Sequence, residues 1–469
     1  MKNQLFRKLP LNQLLNQQHK VQFNKSMNAF DLIALGVGAV VGTGIFILPG
    51  TVAAMHTGPA IVFSFILAAI VCAFSALCYS ELSSSIPVAG SAYTYSYVLF
   101  GELIAWIIGW SLLLEYGLAV AAVATGWSAY FQSLIEGFGL HIPKALSGSF
   151  SPANGTFVNL PAILIIVLLA GILSLGVKES ARLNRIIVFI KIGIILLFII
   201  AGVFYVKPEN WQPFAPFGFQ GILSGAALVI FAYLGFDAVS TAAEEVKNPK
   251  RNMPIGIIGT LVICTILYVT VSLVLTGMVP YTELNVGNPV AYAMELANLD
   301  WVFGVISVGA VISMMTVIFV MLYGGTRLVY SFARDGMLPK VLSEIHPRRK
   351  IPLKNTWIYA LFISLFAGFI PIDKLAELVN MGTLIAFAAV SIGVIFVRKM
   401  NLQELNEGFK VPLFPIVPIL SFILCVFIIT QLSSFTFLTC FIWMIIGLIV
   451  YFTYGRKHSL LNQKRLGQN

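Results

Sequence analysis

This sequence has few charged residues for its length. Asp, Glu, Lys and Arg make up only 10% of its 469 residues, whereas 58% are hydrophobic. A soluble domain usually carries about 25% charged residues, because water must solvate its surface. Apolar runs of about 20 residues, long enough to cross a hydrocarbon core of roughly 30 Å, recur along the chain. We therefore exclude an ordinary soluble protein and expect a bundle of membrane-spanning helices.

The residue patterns of catalysis and metal binding are also missing. The five cysteines lie in apolar stretches without disulfide or zinc-ligand spacing, and the five histidines fall in loops and tails. The sequence has no phosphate-binding loop of the GxxxxGK type, and therefore no evident ATP site. Gly36, Gly38 and Gly42 follow no strand and are spaced GxGxxxG, unlike a dinucleotide fingerprint. We expect no enzymatic activity, no metal and no organic cofactor.

The apolar runs predict twelve spans, at residues 30–55, 59–80, 97–126, 158–177, 184–206, 220–244, 254–279, 301–333, 355–372, 377–397, 413–431 and 434–454. Lysine and arginine are concentrated in both tails and in the loops after spans 4, 6, 8 and 10. The opposite side has only Lys144, Lys207 and Lys374. By the positive-inside rule both termini lie in the cytoplasm. This distribution explains the net charge of +10 without any bound nucleic acid.

Spans 1 and 6 are both interrupted by glycines. The interruptions fall at Gly42 and Gly44 in span 1 and at Gly235 in span 6. Because span 6 follows five spans after span 1, the two halves of the chain would be inverted in the membrane. Broken helices at corresponding positions of inverted repeats indicate a central binding site. Glycine is also common in membrane helices because it permits close packing, so spacing alone leaves both interpretations open.

The two interruptions would expose complementary backbone groups. The glycines of span 1 allow unwinding, which exposes amides at the start of a second half-helix, and such amides attract a carboxylate. Residues 231–236 of span 6 can unwind at Gly235 and leave carbonyls that suit an ammonium group. Together the amides of span 1 and the carbonyls of span 6 would select the zwitterion shared by all α-amino acids.

Two ionisable residues lie inside predicted spans, where a charge is costly and therefore suggests a function. Lys191 in span 5 lies six residues from Arg185 at the cytoplasmic end. Its ammonium could snorkel to the interface or face the bundle as a proton carrier. Glu115 in span 3 could pair with Lys191, bind the substrate ammonium, exchange a proton, or serve as a protonated structural residue. Asp237 follows the second interruption and could cap its second half-helix.

Three segments resemble one family of membrane transporters. They are residues 36–46, residues 235–249 with their continuation 251–257, and residues 334–339 at the end of span 8. They are similar to bacterial members of the amino acid–polyamine–organocation superfamily, close to its cationic amino acid transporter branch. The resemblance covers all twelve spans. It implies an all-α integral membrane protein of the LeuT type with a five-plus-five inverted repeat and broken helices 1 and 6.

The implied organisation has five parts: a cytoplasmic N-terminal tail (1–29), a first inverted repeat (30–206), a second inverted repeat (220–397), spans 11 and 12 (413–454), and a cytoplasmic C-terminal tail (455–469).

The resemblance also assigns roles to residues. The substrate carboxylate would be held by backbone N–H groups of Thr43, Gly44 and Ile45. The ammonium would be held by carbonyls near Val40, Phe231, Ala232 and Leu234, and Phe231 would close over the substrate as an aromatic gate. Lys191 matches a lysine that fills the place of a sodium ion in proton-coupled relatives, so we expect the proton as coupling ion. Sodium is disfavoured because residues 312–326 contain no adjacent Ser/Thr pair.

The expected substrate is small. Met321 in span 8 would face the side-chain pocket, where its bulk favours small side chains. We therefore expect alternating-access symport of protons with alanine-sized or neutral L-amino acids across a bacterial plasma membrane. An exchanger, a cationic amino acid or polyamine transporter, and a receptor with a transporter fold stay open as alternatives. The lipid bilayer is an expected partner, and a small membrane subunit is left open.

Overall fold

The computed structural model describes residues 7–8, 27–86, 91–176, 181–241, 243, 246–349, 351–400, 408–460 and 462. Most of both predicted tails lies outside the described residues, and so do Ala242, Glu244 and Glu245 of the segment that follows the second interruption.

Helices make up most of the described chain, and we number the α-helices in chain order. Those of the first half are α1 (Ala29–Val40), α2 (Thr43–Phe46), α3 (Leu48–Val52), α4 (Ile61–Ser85), α5 (Ser91–Leu99), α6 (Glu102–Glu136), α7 (Leu160–Ser174) and α8 (Ala181–Gly202). Those of the second half are α9 (Gly218–Val229), α10 (Ala238–Thr241), α11 (Pro249–Met278), α12 (Pro289–Leu296), α13 (Asp300–Arg334), α14 (Leu353–Phe369), α15 (Ile372–Lys399), α16 (Ile416–Ile429), α17 (Ser434–Val450) and α18 (Arg456–His458).

The apolar helices coincide with the predicted spans. Within the described residues, seven helical segments are long and apolar enough to cross a membrane. Five shorter apolar helices of 10–17 residues lie at predicted spans 1, 4, 6, 9 and 11. A helix satisfies its own backbone hydrogen bonds, which is why apolar segments of this kind are helical in lipid.

Side-chain caps explain where several helices begin. Asn28 precedes α1 and accepts hydrogen bonds from the amides of Phe30 (2.9 Å) and Asp31 (3.1 Å). The Asp31 carboxylate in turn accepts the Asn28 amide at 3.0 Å, which completes a capping box. Asn159 and Ser433 cap α7 and α17 in the same position. These caps satisfy amides that the first turn of a helix leaves open.

Helices five spans apart pack against one another. The pairs are α4 with α11, α6 with α13, and α7 with α14. The interrupted spans also meet, through α2 and the 3₁₀ turn Ile230–Tyr233. In addition α6 packs along α15, so α6 is in contact with both α13 and α15. Contacts between corresponding helices are expected where two halves of a chain repeat one arrangement.

The two ends of the described chain meet on one face. The Glu102 amide donates to the Arg7 carbonyl at 2.9 Å. The Arg7 guanidinium donates to the Asn462 side chain at 3.0 Å, and the Lys247 amide donates to the Met27 carbonyl at 2.8 Å. Both ends therefore lie on the side of the basic loop that contains Lys247.

A buried ion pair joins α4 to α15. Arg398 donates to both carboxylate oxygens of Glu81, at 2.8 Å from Nε and 2.7 Å from Nη2. The amide of Val411 also donates to Glu81, at 2.6 Å. The Glu81 side chain is only 4% exposed and that of Arg398 is 24% exposed. This bidentate arrangement supplies the counter-charge that a buried carboxylate requires.

Replacing Arg398 by Met should therefore destabilise the protein. The change leaves the buried Glu81 carboxylate without a counter-charge, which lowers the free energy of unfolding by about 3–5 kcal/mol. The midpoint of thermal unfolding in detergent should therefore fall. Glu344→Gln is the control, because it breaks an exposed 2.7 Å pair with Lys354 that contributes at most about 1 kcal/mol. Equal midpoints for the two variants would contradict a structural role for the buried pair.

Candidate functional site

Span 1 is interrupted between α1 and α2. The first helix ends at Val40 and the second begins at Thr43. The Ile45 amide donates to the Gly42 carbonyl at 3.2 Å. The amides of Thr43 and Gly44 belong to the first turn of α2, where the helix itself offers no acceptor. These two N–H groups are therefore available to a ligand, whereas that of Ile45 already has an acceptor.

Span 6 is interrupted after α9, which ends at Val229. The 3₁₀ turn Ile230–Tyr233 follows, and helix resumes at Ala238. Gly235 has a φ of +110°, in a region that favours glycine. A Cβ added there would lie 3.1 Å from Cβ of Ala39. Glycine at this position lets the unwound part of span 6 pass close to α1.

One tyrosine links the two interruptions. The hydroxyl of Tyr268 in α11 lies 2.6 Å from the Ala232 carbonyl and 3.1 Å from the Val40 carbonyl. The two segments also touch directly, since a Cβ added to Gly44 would lie 2.6 Å from Cα of Ala232. These contacts hold the interruptions of spans 1 and 6 side by side.

Lys191 faces the bundle. Its side chain is buried, with 2% of the residue exposed, and Nζ donates to the carbonyls of Gly38 (2.8 Å) and Val41 (3.2 Å). The Ser313 hydroxyl also donates to the Val41 carbonyl, at 3.1 Å. Carbonyls at the end of α1 lack helical partners, and an ammonium supplies only donors. The snorkelling interpretation of Lys191 is therefore wrong.

A small cavity of about 10 Å³ lies between the two interruptions. The predicted binding residues that line it are Val40, Thr43, Gly44, Phe231, Leu234 and Met321, together with the predicted break residue Gly42. A volume of this size holds about one water molecule, so the surrounding helices have to move apart before an amino acid can enter.

Three predicted binding residues do not line the cavity. Ile45 and Ala232 are neighbours of lining residues, and the Ala232 carbonyl is directed at Tyr268. Glu115 precedes the lining residue Ala119 by four positions on α6, and so lies about one helical turn away from the cavity. It is 1% exposed and its Oε2 has no hydrogen-bond partner among the described residues. Glu115 therefore does not line the cavity, and its direct contact with substrate stays a prediction.

Gly44 has a role other than the one expected, whereas Asp237 lies at the cap position that the sequence suggested. Gly44 lies inside α2, so the interruption falls before it and its missing side chain serves the contact with Ala232. Asp237 directly precedes α10, and its backbone carbonyl accepts the Ser240 amide at 2.8 Å. It is 2% exposed.

Sequence reasoning missed four lining residues: Ala39, Ala119, Val123 and Val317. Val317 lies four residues before Met321, a spacing that places both on one face of a helix. That spacing would have identified Val317. Ala119 and Val123 are also four apart, but such residues are common in every apolar helix and carry no signal.

Apolar side chains form most of the cavity wall, and none of the described lining residues is charged. The polar groups are supplied by the backbone and by Thr43, whose hydroxyl is buried without a hydrogen-bond partner among the described residues. Buried polar atoms normally have partners. The unmet hydroxyl and the open amides beside it suit a ligand that carries acceptor oxygens.

Comparisons with known proteins agree with a transport site. The family model described as amino acid permease matches residues 27–451. The chain is 54% identical to a methylthioribose transporter of Bacillus subtilis, over 98% of this chain and 99% of that protein. It is 48% identical to the branched-chain amino acid permease BcaP of the same organism, over 99% and 100%. It is 39% identical to vacuolar cationic amino acid transporter 4 of Arabidopsis thaliana, over 80% and 64%.

Replacing Gly44 by Ala should weaken substrate binding. The added methyl group would meet the Ala232 backbone, which cannot move aside as a flexible side chain can, and should push α2 from span 6. We expect at least about tenfold weaker binding, equivalent to about 1.4 kcal/mol. Scintillation-proximity binding with labelled L-alanine would measure it.

Gly193→Ala is the matched control, since Gly193 lies in α8 and has nothing within 4 Å of an added Cβ. This variant should bind normally, because alanine is a better helix former than glycine. Normal binding by Gly44→Ala would contradict the site.

Proposed function

We propose, on the premise that the chain belongs to the amino acid permease family, that it carries small uncharged L-amino acids across the plasma membrane together with protons. Its relatives are transporters and permeases by name, and the chain is not an enzyme. The observation on which the proposal depends is the cavity between two interrupted helices, with open amides in its wall.

The backbone groups of the cavity favour a zwitterion. The open amides of Thr43 and Gly44 stand at a helix start, where partial positive charge attracts a carboxylate. Across the cavity, the Phe231 carbonyl accepts the Leu234 amide at 3.2 Å and has a second lone pair for an ammonium. Methylthioribose, named for one relative, carries neither group. These features support an amino acid rather than a sugar.

The side-chain end of the cavity favours an uncharged substrate. Ala119, Val123, Val317 and Met321 are apolar, and the described residues place no carboxylate in the wall. A lysine, arginine or polyamine would leave a charge without a partner in an apolar site, which is costly. The name of the branched-chain permease is in keeping with aliphatic side chains, and the bulk of Met321 supports the smaller ones.

Lys191 supports proton coupling. As an ammonium it bonds two carbonyls of span 1, the segment that supplies the amides for the carboxylate. A change of its charge would therefore act directly on the shape of the substrate site. No sodium ion is required in this scheme, because the Lys191 ammonium is the cation beside the interruption of span 1.

The proposed architecture is the five-plus-five inverted repeat with spans 11 and 12 outside it. The packing of helices five spans apart supports it. We also propose that both tails are cytoplasmic, because they meet on the side of the basic loops.

Lys191→Ala should abolish proton-driven accumulation. We expect wild-type proteoliposomes to concentrate labelled L-alanine under an inward proton gradient, equally with and without sodium, and the variant to lose this accumulation. Lys374→Ala is the control, since Lys374 lies at the other end of the bundle, 4.8 Å from the ring of Phe435.

Two outcomes would contradict the scheme. Equal uptake by wild type and Lys191→Ala, governed only by amino acid preloaded inside, would make the protein an exchanger. Saturable binding without any flux would make it a receptor.

Met321→Ser should widen the side-chain pocket. The variant should let leucine and phenylalanine compete with labelled alanine severalfold more strongly than they do in wild type. Met314→Ser makes the same change on the same helix at a buried position that does not line the cavity. An unchanged competition profile for Met321→Ser would contradict its role in substrate size.

A further inference from the structure

A second concave feature lies far from the substrate cavity, on the face where the two tails meet. It is a groove of about 440 Å³ between the end of α13, the 3₁₀ turn Lys340–Ser343 and the segment that follows α17. Its wall includes Tyr330, Arg334, Lys340 and His458. Nothing in the proposed transport cycle uses these residues.

The groove carries positive charge that the described residues balance only in part. The Arg334 side chain is 59% exposed, and only its Nε approaches a carboxylate, that of Asp335 at 3.4 Å. Lys340 is exposed and has no hydrogen-bond or ion-pair partner within the described parts of the chain. Glu344 also lines the groove, but Lys354 bonds its carboxylate at 2.7 Å. Two cations are therefore available to an anion.

The wall formed by the C-terminal segment is anchored. The Ser459 hydroxyl donates to the buried Glu102 carboxylate at 2.7 Å. The Leu460 amide donates to the Asp335 carbonyl at 3.0 Å. Gly336 has a φ of +80° and its Cα faces the His458 carbonyl so closely that no Cβ would fit. The groove is thus built by specific contacts.

An exposed apolar side chain lies beside the cations. Val341 follows Lys340 in the turn and is 46% exposed. Exposed apolar side chains beside arginine and lysine are typical of the membrane interface, where acyl chains meet headgroups.

We propose that this groove binds the phosphate headgroup of an anionic phospholipid from the leaflet on the side of the tails. Arg334 and Lys340 would hold the phosphate, and an acyl chain would lie against Val341. A guanidinium matches the geometry of a phosphate, and basic pockets on the cytoplasmic side of membrane proteins bind such headgroups. The inference depends on the proposed orientation and is independent of the transported substrate.

The test is lipid retention by the purified full chain. Native mass spectrometry would count bound dioleoyl phosphatidylglycerol and dioleoyl phosphatidylcholine for wild type, for the double variant Arg334→Gln/Lys340→Gln, and for the control Lys144→Gln/Lys374→Gln. The control removes two cations from the opposite face. We expect wild type and control to retain phosphatidylglycerol in preference to phosphatidylcholine, and the groove variant to bind it about tenfold more weakly or worse.

A second variant distinguishes binding of the lipid in this groove from general electrostatic attraction of anionic lipid to the basic surface. Ser459→Ala keeps every cation and removes one anchor of the wall, so it should also weaken retention of phosphatidylglycerol, while a retained cooperative thermal unfolding transition in detergent shows that the protein is folded. Equal retention by all variants, or no preference over phosphatidylcholine, would overturn the proposal. Displacement of the lipid by millimolar inorganic phosphate would assign the groove to free phosphate and overturn the lipid assignment.

Discussion

A lipid bilayer supplies no hydrogen bonds, so a helix interrupted within it must find partners for its freed backbone groups inside the protein. Both interruptions here meet this requirement with side chains from other helices. Lys191 and Ser313 reach the carbonyls at the end of α1, and the Tyr268 hydroxyl lies between carbonyls of spans 1 and 6. The amides of Thr43 and Gly44, for which the described residues supply no acceptor, lie at the cavity. The side chains that supply partners thus stabilise the interruptions, and the polar groups that stay unpaired lie together at the cavity.

This arrangement gives a physical basis for the proposed coupling. Two ligands are coupled when each changes the free energy of binding the other. A proton on Lys191 strengthens its bonds to the carbonyls at 38 and 41, and the substrate carboxylate would bind amides only a few residues later in the same segment. Both ligands would therefore act on one short stretch of backbone, without the need for a long pathway between distant sites.

Much of this could be predicted from the sequence, because the signals are strong ones. Apolar runs locate the helices, and the glycines of spans 1 and 6 locate the interruptions. Composition could not decide which way Lys191 points, since a lysine six residues from the interface can face either direction. Glu115 does not line the cavity because it lies one turn along the helix from Ala119 on the same face, and the apolar pattern of span 3 does not show how far along the helix the cavity extends. Ala119 and Val123 were missed for the related reason that apolar lining residues look like every other apolar residue.

The groove at the tails shows a different limit. Its cations were counted in the sequence only as part of the asymmetry that sets orientation. Their juxtaposition with the C-terminal segment depends on Glu102, Ser459 and Gly336, which are far apart in the chain and have no shared pattern. Contacts of this kind depend on which helices pack against one another, and the periodicity of apolar residues does not show that.

The most direct test of recognition by the open backbone groups is to remove one half of the zwitterion at a time. Displacement of labelled L-alanine from the purified protein would be compared for L-alanine, L-alaninamide and propionate, which share the small side chain. If the open amides bind the carboxylate and the carbonyls of span 6 bind the ammonium, both analogues should compete at least about a hundredfold more weakly, because each loses a charge-assisted interaction of about 1.5–3 kcal/mol and strands its partner. Competition by L-alaninamide or propionate equal to that of L-alanine would show that the interrupted helices do not recognise the amino acid backbone.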